Sequence, residues 1–103
     1  MAHIVISAKR RAKEITLIVH VWREDGAYVA YAPELDVSSC GDSLGQSKAR
    51  LREAVKLFLE EAAHRGTLEG ILAEAGFEKR GNSYRPRRIL AKEKIRLTVP
   101  LAS

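Results

Sequence analysis

The side chains here that could do chemistry are few and scattered: three histidines (His3, His20 and His64), one cysteine (Cys40) and the carboxylates Glu34, Asp36 and Asp42. The histidines fall near the start of the chain, on an apolar strand-like run and at the close of a helical one, without the short paired spacing of a metal site. His20 reads as a sheet-face side chain opposite Tyr31, and His64 as a last-turn residue that complements the helix dipole. No nucleophile signature surrounds Cys40 and nothing places a histidine beside it, so it reads as a small packing residue. Ser38, Ser39 and Ser43 lack an assignable base. Glu34, Asp36 and Asp42 are the acids a two-metal nuclease would use, because paired metals take several convergent carboxylates. They lie instead in loop and turn positions that favour local hydrogen bonding, and no fourth acid stands on the main strand. These residues predict no enzyme, no metal and no cofactor.

The elements that position them are legible in part. Ile15 to Trp22 is rich in β-branched residues and holds no Gly or Pro, so it reads as one strand. Asp25-Gly26 reads as a type I′ turn, Tyr28 to Ala32 as the returning strand, and Pro33 as its end, since proline has no N–H for the ladder. Asp36 to Cys40 reads as a third strand. With Asp25 and Gly26 as the turn, Glu24 faces Ala27, Val21 faces Ala30, Trp22 faces Val29, His20 faces Tyr31 and Val19 faces Ala32. One sheet face then carries Val19, Val21, Ala30 and Ala32, small enough for a helix to approach. The other carries Ile18, His20, Trp22, Val29 and Tyr31, too apolar to stay in water, which predicts cover by another segment or a second subunit.

Ser43-Leu44-Gly45-Gln46 fits a capping box, followed by Leu44, Leu51, Val55, Phe58 and Ala62 at helical spacing, with Lys48, Arg52, Lys56 and Glu60 on the other side and Gly66 as a left-handed stop. Thr67 reads as the cap of a short second helix through Leu68, Ile71, Leu72 and Ala75, ended by Gly76. Phe77 to Arg80 and Ser83 to Arg85 read as a small hairpin around Gly81-Asn82, Ile95-Arg96-Leu97-Thr98-Val99 as a final strand, and Ile4-Val5-Ile6 as an edge strand. Lys9 to Lys13 reads as a basic loop. The fold class is α+β: a three-stranded antiparallel sheet packed against one long helix, then a short helix and C-terminal short strands.

The 103 residues predict a single domain over 1–103, with its sheet-and-helix core at 15–62 and a C-terminal extension at 67–103. No apolar run reaches the ~18 residues of a membrane span, and Met1 to Ser7 lacks the basic lead of a signal peptide, so the chain reads as cytoplasmic. The lone cysteine forms no internal disulfide, in keeping with a reducing compartment. Net charge is +5, divided as +2 over residues 1–25, −1 over 26–66 and +4 over 67–103. Arg10, Arg11, Arg87 and Arg88 are the residues that would meet phosphates, although charge on this scale also serves solubility.

Within Gly26 to Glu61, the residues Gly26, Tyr28, Ala30, Pro33-Glu34-Leu35, Gly41-Asp42-Ser43, Leu51, Glu53-Ala54-Val55 and Leu57 to Glu60 resemble the core of the HicB-like antitoxin family, over roughly residues 15 to 62. The resemblance implies a degenerate ribonuclease-H-like half domain. It also implies a partner, a small basic mRNA-cleaving HicA-type toxin, neutralised by steric cover of its catalytic histidine. Many members append a helix-turn-helix or ribbon-helix-helix segment, whereas Phe77 to Ser103 reads as short strands and basic loops. The acidic middle third supplies the expected toxin surface, Pro33, Glu34, Asp36, Asp42, Glu53 and Glu60. Ile18, His20, Trp22, Val29 and Tyr31 supply the expected homo-oligomer surface, dimer or tetramer. Two other classes compete: a stand-alone nucleic-acid-binding module and a solitary oligomeric scaffold.

Overall fold

A computed structural model describes the backbone of residues 2–8 and 11–101, and the side chains of residues 14–101. In chain order it comprises β1 (Ala2–Ala8), β2 (Arg11–Leu17), β3 (His20–Glu24), β4 (Ala27–Ala32), β5 (Val37–Gly41), α1 (Leu44–His64), α2 (Leu68–Glu74), β6 (Glu78–Arg80) and β7 (Ser83–Arg85). The strands make two sheets, ordered β3-β4-β5 and β1-β2-β7-β6. The expected α+β class holds, with the three-stranded antiparallel sheet packed on the long helix.

Turn chemistry fixed the hairpin. Asp25 and Gly26 both adopt positive φ, 49° and 80°, as a type I′ turn requires, and the register is the expected one, with Glu24 opposite Ala27, Trp22 opposite Val29 and His20 opposite Tyr31. Ala30 and Ala32 are fully buried on the helix side, and Val19 and Val21 pack against the same core.

The run Ile15 to Trp22 is not one strand. β2 ends at Leu17 and β3 begins at His20, each in a different sheet. The inward alternation nevertheless runs through the break: Ile15 and Leu17 are buried and Val19 and Val21 face the core, while His20 and Trp22 point out. Partners explain the change. β1 pairs with β2 through to Ala2 opposite Leu17. On the other hairpin arm Pro33 follows Ala32 and offers no N–H, so the β3–β4 ladder cannot extend past the level of Val19.

α1 starts where its cap predicts. The Ser43 hydroxyl accepts from the Gln46 N–H (3.0 Å), while the Gln46 side-chain oxygen accepts from the Asp42 N–H (2.6 Å), one residue earlier than in a standard capping box. Gly41 is required by contact: a Cβ there would lie 2.8 Å from the Ser47 backbone nitrogen. Ser47 is fully buried, its hydroxyl donating to the Leu44 carbonyl (2.8 Å). The buried stripe is Ser47, Leu51, Val55, Leu59 and Ala62. Leu44, expected on this stripe, is 49 % exposed, and Leu59, not expected there, is buried in the core. Gly66 (φ 74°) stops the helix as expected.

Thr67 precedes α2 without capping it. Its hydroxyl donates to the Ala62 carbonyl (3.3 Å), and its φ and ψ are helical, so the oxygen is not aimed at the first turn. β6 and β7 form the expected hairpin, and β7 joins β2 in parallel, with Ile15 opposite Tyr84. Leu72, Phe77 and Tyr84 thereby enter the same core cluster as Ile15, Leu17, Leu51 and Val55, so one core unites both sheets and the long helix. Ile4 to Ile6 lies in edge strand β1, as expected, but Arg11 to Lys13 is strand β2 rather than loop. The expected final strand is absent: residues 86–101 are irregular, and Ile95 to Val99 pairs with nothing among the described residues.

Candidate interaction surfaces

The fold presents three surfaces built from the residues of interest. The first is the face of the β3-β4-β5 sheet turned away from α1. Trp22 (41 % exposed) and Tyr31 meet edge to face with ring centres 6.1 Å apart. Trp22 Nε1 donates to Glu24 Oε1 (3.1 Å), and the Tyr31 hydroxyl donates to Asp36 Oδ1 (2.8 Å). That hydrogen bond, then desolvation and the Asp36 charge, raises the Tyr31 pKa above its ordinary value, since ionising the phenol would set two anions together. Asp36 adopts φ 55° to make this contact, a conformation aspartate tolerates. Val29 sits opposite both Trp22 and Cys40, and the Cys40 thiol is free and exposed. Thus His20, Trp22, Val29 and Tyr31 do share one face, as the register requires. Ile18 lies at the break between β2 and β3, half-buried at its margin.

The second surface is a cleft of about 660 Å³ where that break, the Pro33 turn, the end of α2 and the start of the C-terminal arm converge. Glu34, Glu74, Arg87 and Lys92 line it together with His20 and Ile89. Glu34 Oε1 is buried without a hydrogen-bond partner among the described residues. The Arg87 guanidinium lies directly against Gly76, in the space a Cβ would occupy, and so ties the root of the arm to the end of α2.

The third surface is the outward side of α1. Leu57 is 60 % exposed, and helical spacing puts Glu53, Glu60 and Glu61 around it at four and three residues' distance. Glu61 is paired with Arg65 (2.8 Å). Glu53 and Glu60 are both exposed. Sequence periodicity marked the acids but not Leu57, whose exposure is set by how the helix is rotated on the sheet.

The six residues expected to meet a toxin therefore do not converge. Glu53 and Glu60 lie on the outer side of α1, Asp42 at its exposed start, Asp36 beside Tyr31 on the opposite side of the sheet, and Pro33 and Glu34 in the cleft. The basic residues are separated too. Arg10 lies outside the described residues, as does the Arg11 side chain. Arg11 begins β2, whereas Arg87 lies in the irregular arm with its guanidinium against Gly76 at the end of α2. Arg88 is exposed on the arm. Among the described residues no three His, Cys, Asp or Glu side chains are grouped to hold a metal ion, and no helix is long and apolar enough to cross a membrane. Compared with protein-family models, with curated proteins and with solved structures, the chain matches none of them.

Proposed function

We propose that this protein is an antitoxin of the HicB-like kind, which binds a small, basic, mRNA-cleaving toxin of the HicA kind and neutralises it by covering its active surface. The observation that carries this reading is the acid-ringed Leu57 on α1. An exposed apolar side chain surrounded by carboxylates gives a basic partner both a desolvated anchor and complementary charge, the combination that sets specificity and association rate at interfaces. The residues that resemble the family also build one continuous unit, β3-β4-β5-α1, with Gly41 explained by its approach to Ser47. No chemistry is asked of the protein: it works as a lid. The open sheet face with Trp22 and Tyr31 serves a homo-oligomer, and the chain acts in the cytoplasm, where its target is.

The test is co-expression of this chain with the product of the adjacent gene, followed by affinity capture and calorimetry. The reading expects one small basic protein bound in stoichiometric amount, and relief of its toxicity. Leu57→Asp with Glu53→Lys should weaken that binding at least about tenfold, as loss of a central anchor does. Normal binding by this double variant would reject α1 as the contact surface, and no bound protein at all would reject the function.

A second reading rests on the net +4 of residues 67–103, carried partly by an exposed arm. A nucleic-acid module would lose affinity steeply with salt and with Arg87→Glu and Arg88→Glu. Retention of nucleic acid by the purified chain, released by salt, would favour it.

A further inference from the structure

The arm after β7 carries Ile89, Leu90, Ile95, Leu97, Val99 and Leu101 in water, with Leu97 79 % exposed. Its sequence Ile95-Arg96-Leu97-Thr98-Val99 alternates apolar and polar residues as a half-buried strand does, and Pro100 ends the pattern. Yet among the described residues these five amides and carbonyls make no ladder. A strand-patterned segment without a strand beside it leaves its apolar face in water, where covering it would be favourable.

The same chain displays an edge of matching length. β3 is five residues long and has one neighbour, β4. In a two-residue hairpin the pairs Glu24–Ala27, Trp22–Val29 and His20–Tyr31 exchange hydrogen bonds, so the N–H and C=O of Val21 and Arg23 point away from β4. The opposite edge confirms this phase. Val29 is committed to Trp22, so Cys40 must point outward from β5, and its carbonyl indeed accepts from Arg50 Nη1 (3.1 Å). That bond engages the Cys40 carbonyl on the β5 edge, and β6 is three residues long and exposed throughout, so among strands whose side chains are described β3 offers a five-residue edge without such a side-chain contact.

We propose that Ile95 to Val99 adds as a strand to the β3 edge of a second copy of this chain, in reciprocal exchange. Side-chain alternation orients it. With Ile95, Leu97 and Val99 turned to the helix side, they extend the core past the half-buried Val19 and Val21, and Arg96 falls on the open side near Glu24. The reverse orientation would set Arg96 beside Arg23. The arm's surplus of cations, Arg87, Arg88, Lys92, Lys94 and Arg96 against Glu93, matches the Glu24-Asp25 end of the β3 hairpin. Reciprocity doubles the gain, because two arms with their exposed apolar residues and two receiving edges are covered at once, which moves the contact toward the ~1,200–2,000 Å² of a stable interface. This inference is independent of the toxin reading and of the Trp22 face.

The experiment is light scattering on the full chain with hydrogen exchange of the wild type. The expected result is a particle at least twice the 11.5 kDa chain mass, whose mass halves in Leu97→Glu. It should also halve in Val21→Pro, which removes an outward N–H and leaves the β3–β4 ladder intact. Independently of any variant, the amides of 95–99 and of Val21 and Arg23 should exchange on the order of a hundredfold more slowly at high protein concentration than at low. A mass unchanged in Leu97→Glu overturns the exchange. A mass that halves in Leu97→Glu but not in folded Val21→Pro removes the β3 edge as the acceptor, and protection independent of concentration means that the arm folds on its own chain.

Discussion

Leu57 and Leu59 stand two residues apart on one helix and differ in nothing that composition can register, yet the structure assigns them opposite roles. Leu59 is 2 % exposed in the core cluster, and Leu57 is 60 % exposed on the outer side of α1. Leu59→Ala removes buried methyl groups and leaves a cavity between α1 and the sheet, which costs about 2–5 kcal/mol. A domain of this size has a total stability of about 5–15 kcal/mol, and each kcal/mol moves Tm by about 4–8 °C, so the variant should melt at least ~8 °C lower. Leu57→Ala loses little burial and gains slightly in helix propensity, so its stability should stay within about 0.5 kcal/mol of the parent. Urea unfolding followed by circular dichroism measures both, with an unchanged slope showing that the unfolded ensembles match. Equal losses, or a larger loss at Leu57, would mean that α1 is rotated on its sheet, and the proposed contact surface would fall with that result.

Gly41→Ala should destabilise by about 1–3 kcal/mol, because its Cβ would press on the Ser47 backbone, which sits in a helix and cannot yield as a side chain would; Gly70→Ala, in open space on α2, should stabilise by up to about 1 kcal/mol, and thermal melts compare them. Tyr31 should ionise above the ordinary phenol range by ultraviolet absorbance, and Asp36→Asn should bring that titration down. Since folding raises this pKa, the Tyr31–Asp36 contact adds stability while the phenol stays protonated and loses it as pH rises through the folded value, so the parent's advantage over Asp36→Asn should disappear at strongly alkaline pH. Trp22→Ala should lower the particle mass through the open sheet face while leaving exchange protection of residues 95–99 in place, which separates the two proposed contacts; an unchanged mass removes Trp22 from the oligomer surface.

What the sequence could determine by itself was local. The Asp25-Gly26 turn, the Ser43 cap, the Gly66 stop and the β6–β7 turn each depend on a few adjacent residues and their φ preferences, so the hairpin register and the ends of α1 followed from residue types alone. Thr67 failed as a cap because its φ and ψ are already helical, so its oxygen is not aimed at the first turn of α2. Pairing partners were not local. Nothing inside Ile15 to Trp22 announces that it serves two sheets, because the limit of the β3–β4 ladder is set by Pro33 on the other hairpin arm. The candidate acids were legible as residues but not as a site, since an acid's side of the fold depends on helix rotation and sheet face, and these set Glu53 and Glu60 against one side and Asp36 against the other. Which leucine is core, Leu57 or Leu59, and whether Ile95 to Val99 has a neighbour, were likewise decided by packing: a period identifies a face, and only the assembled structure supplies what that face meets.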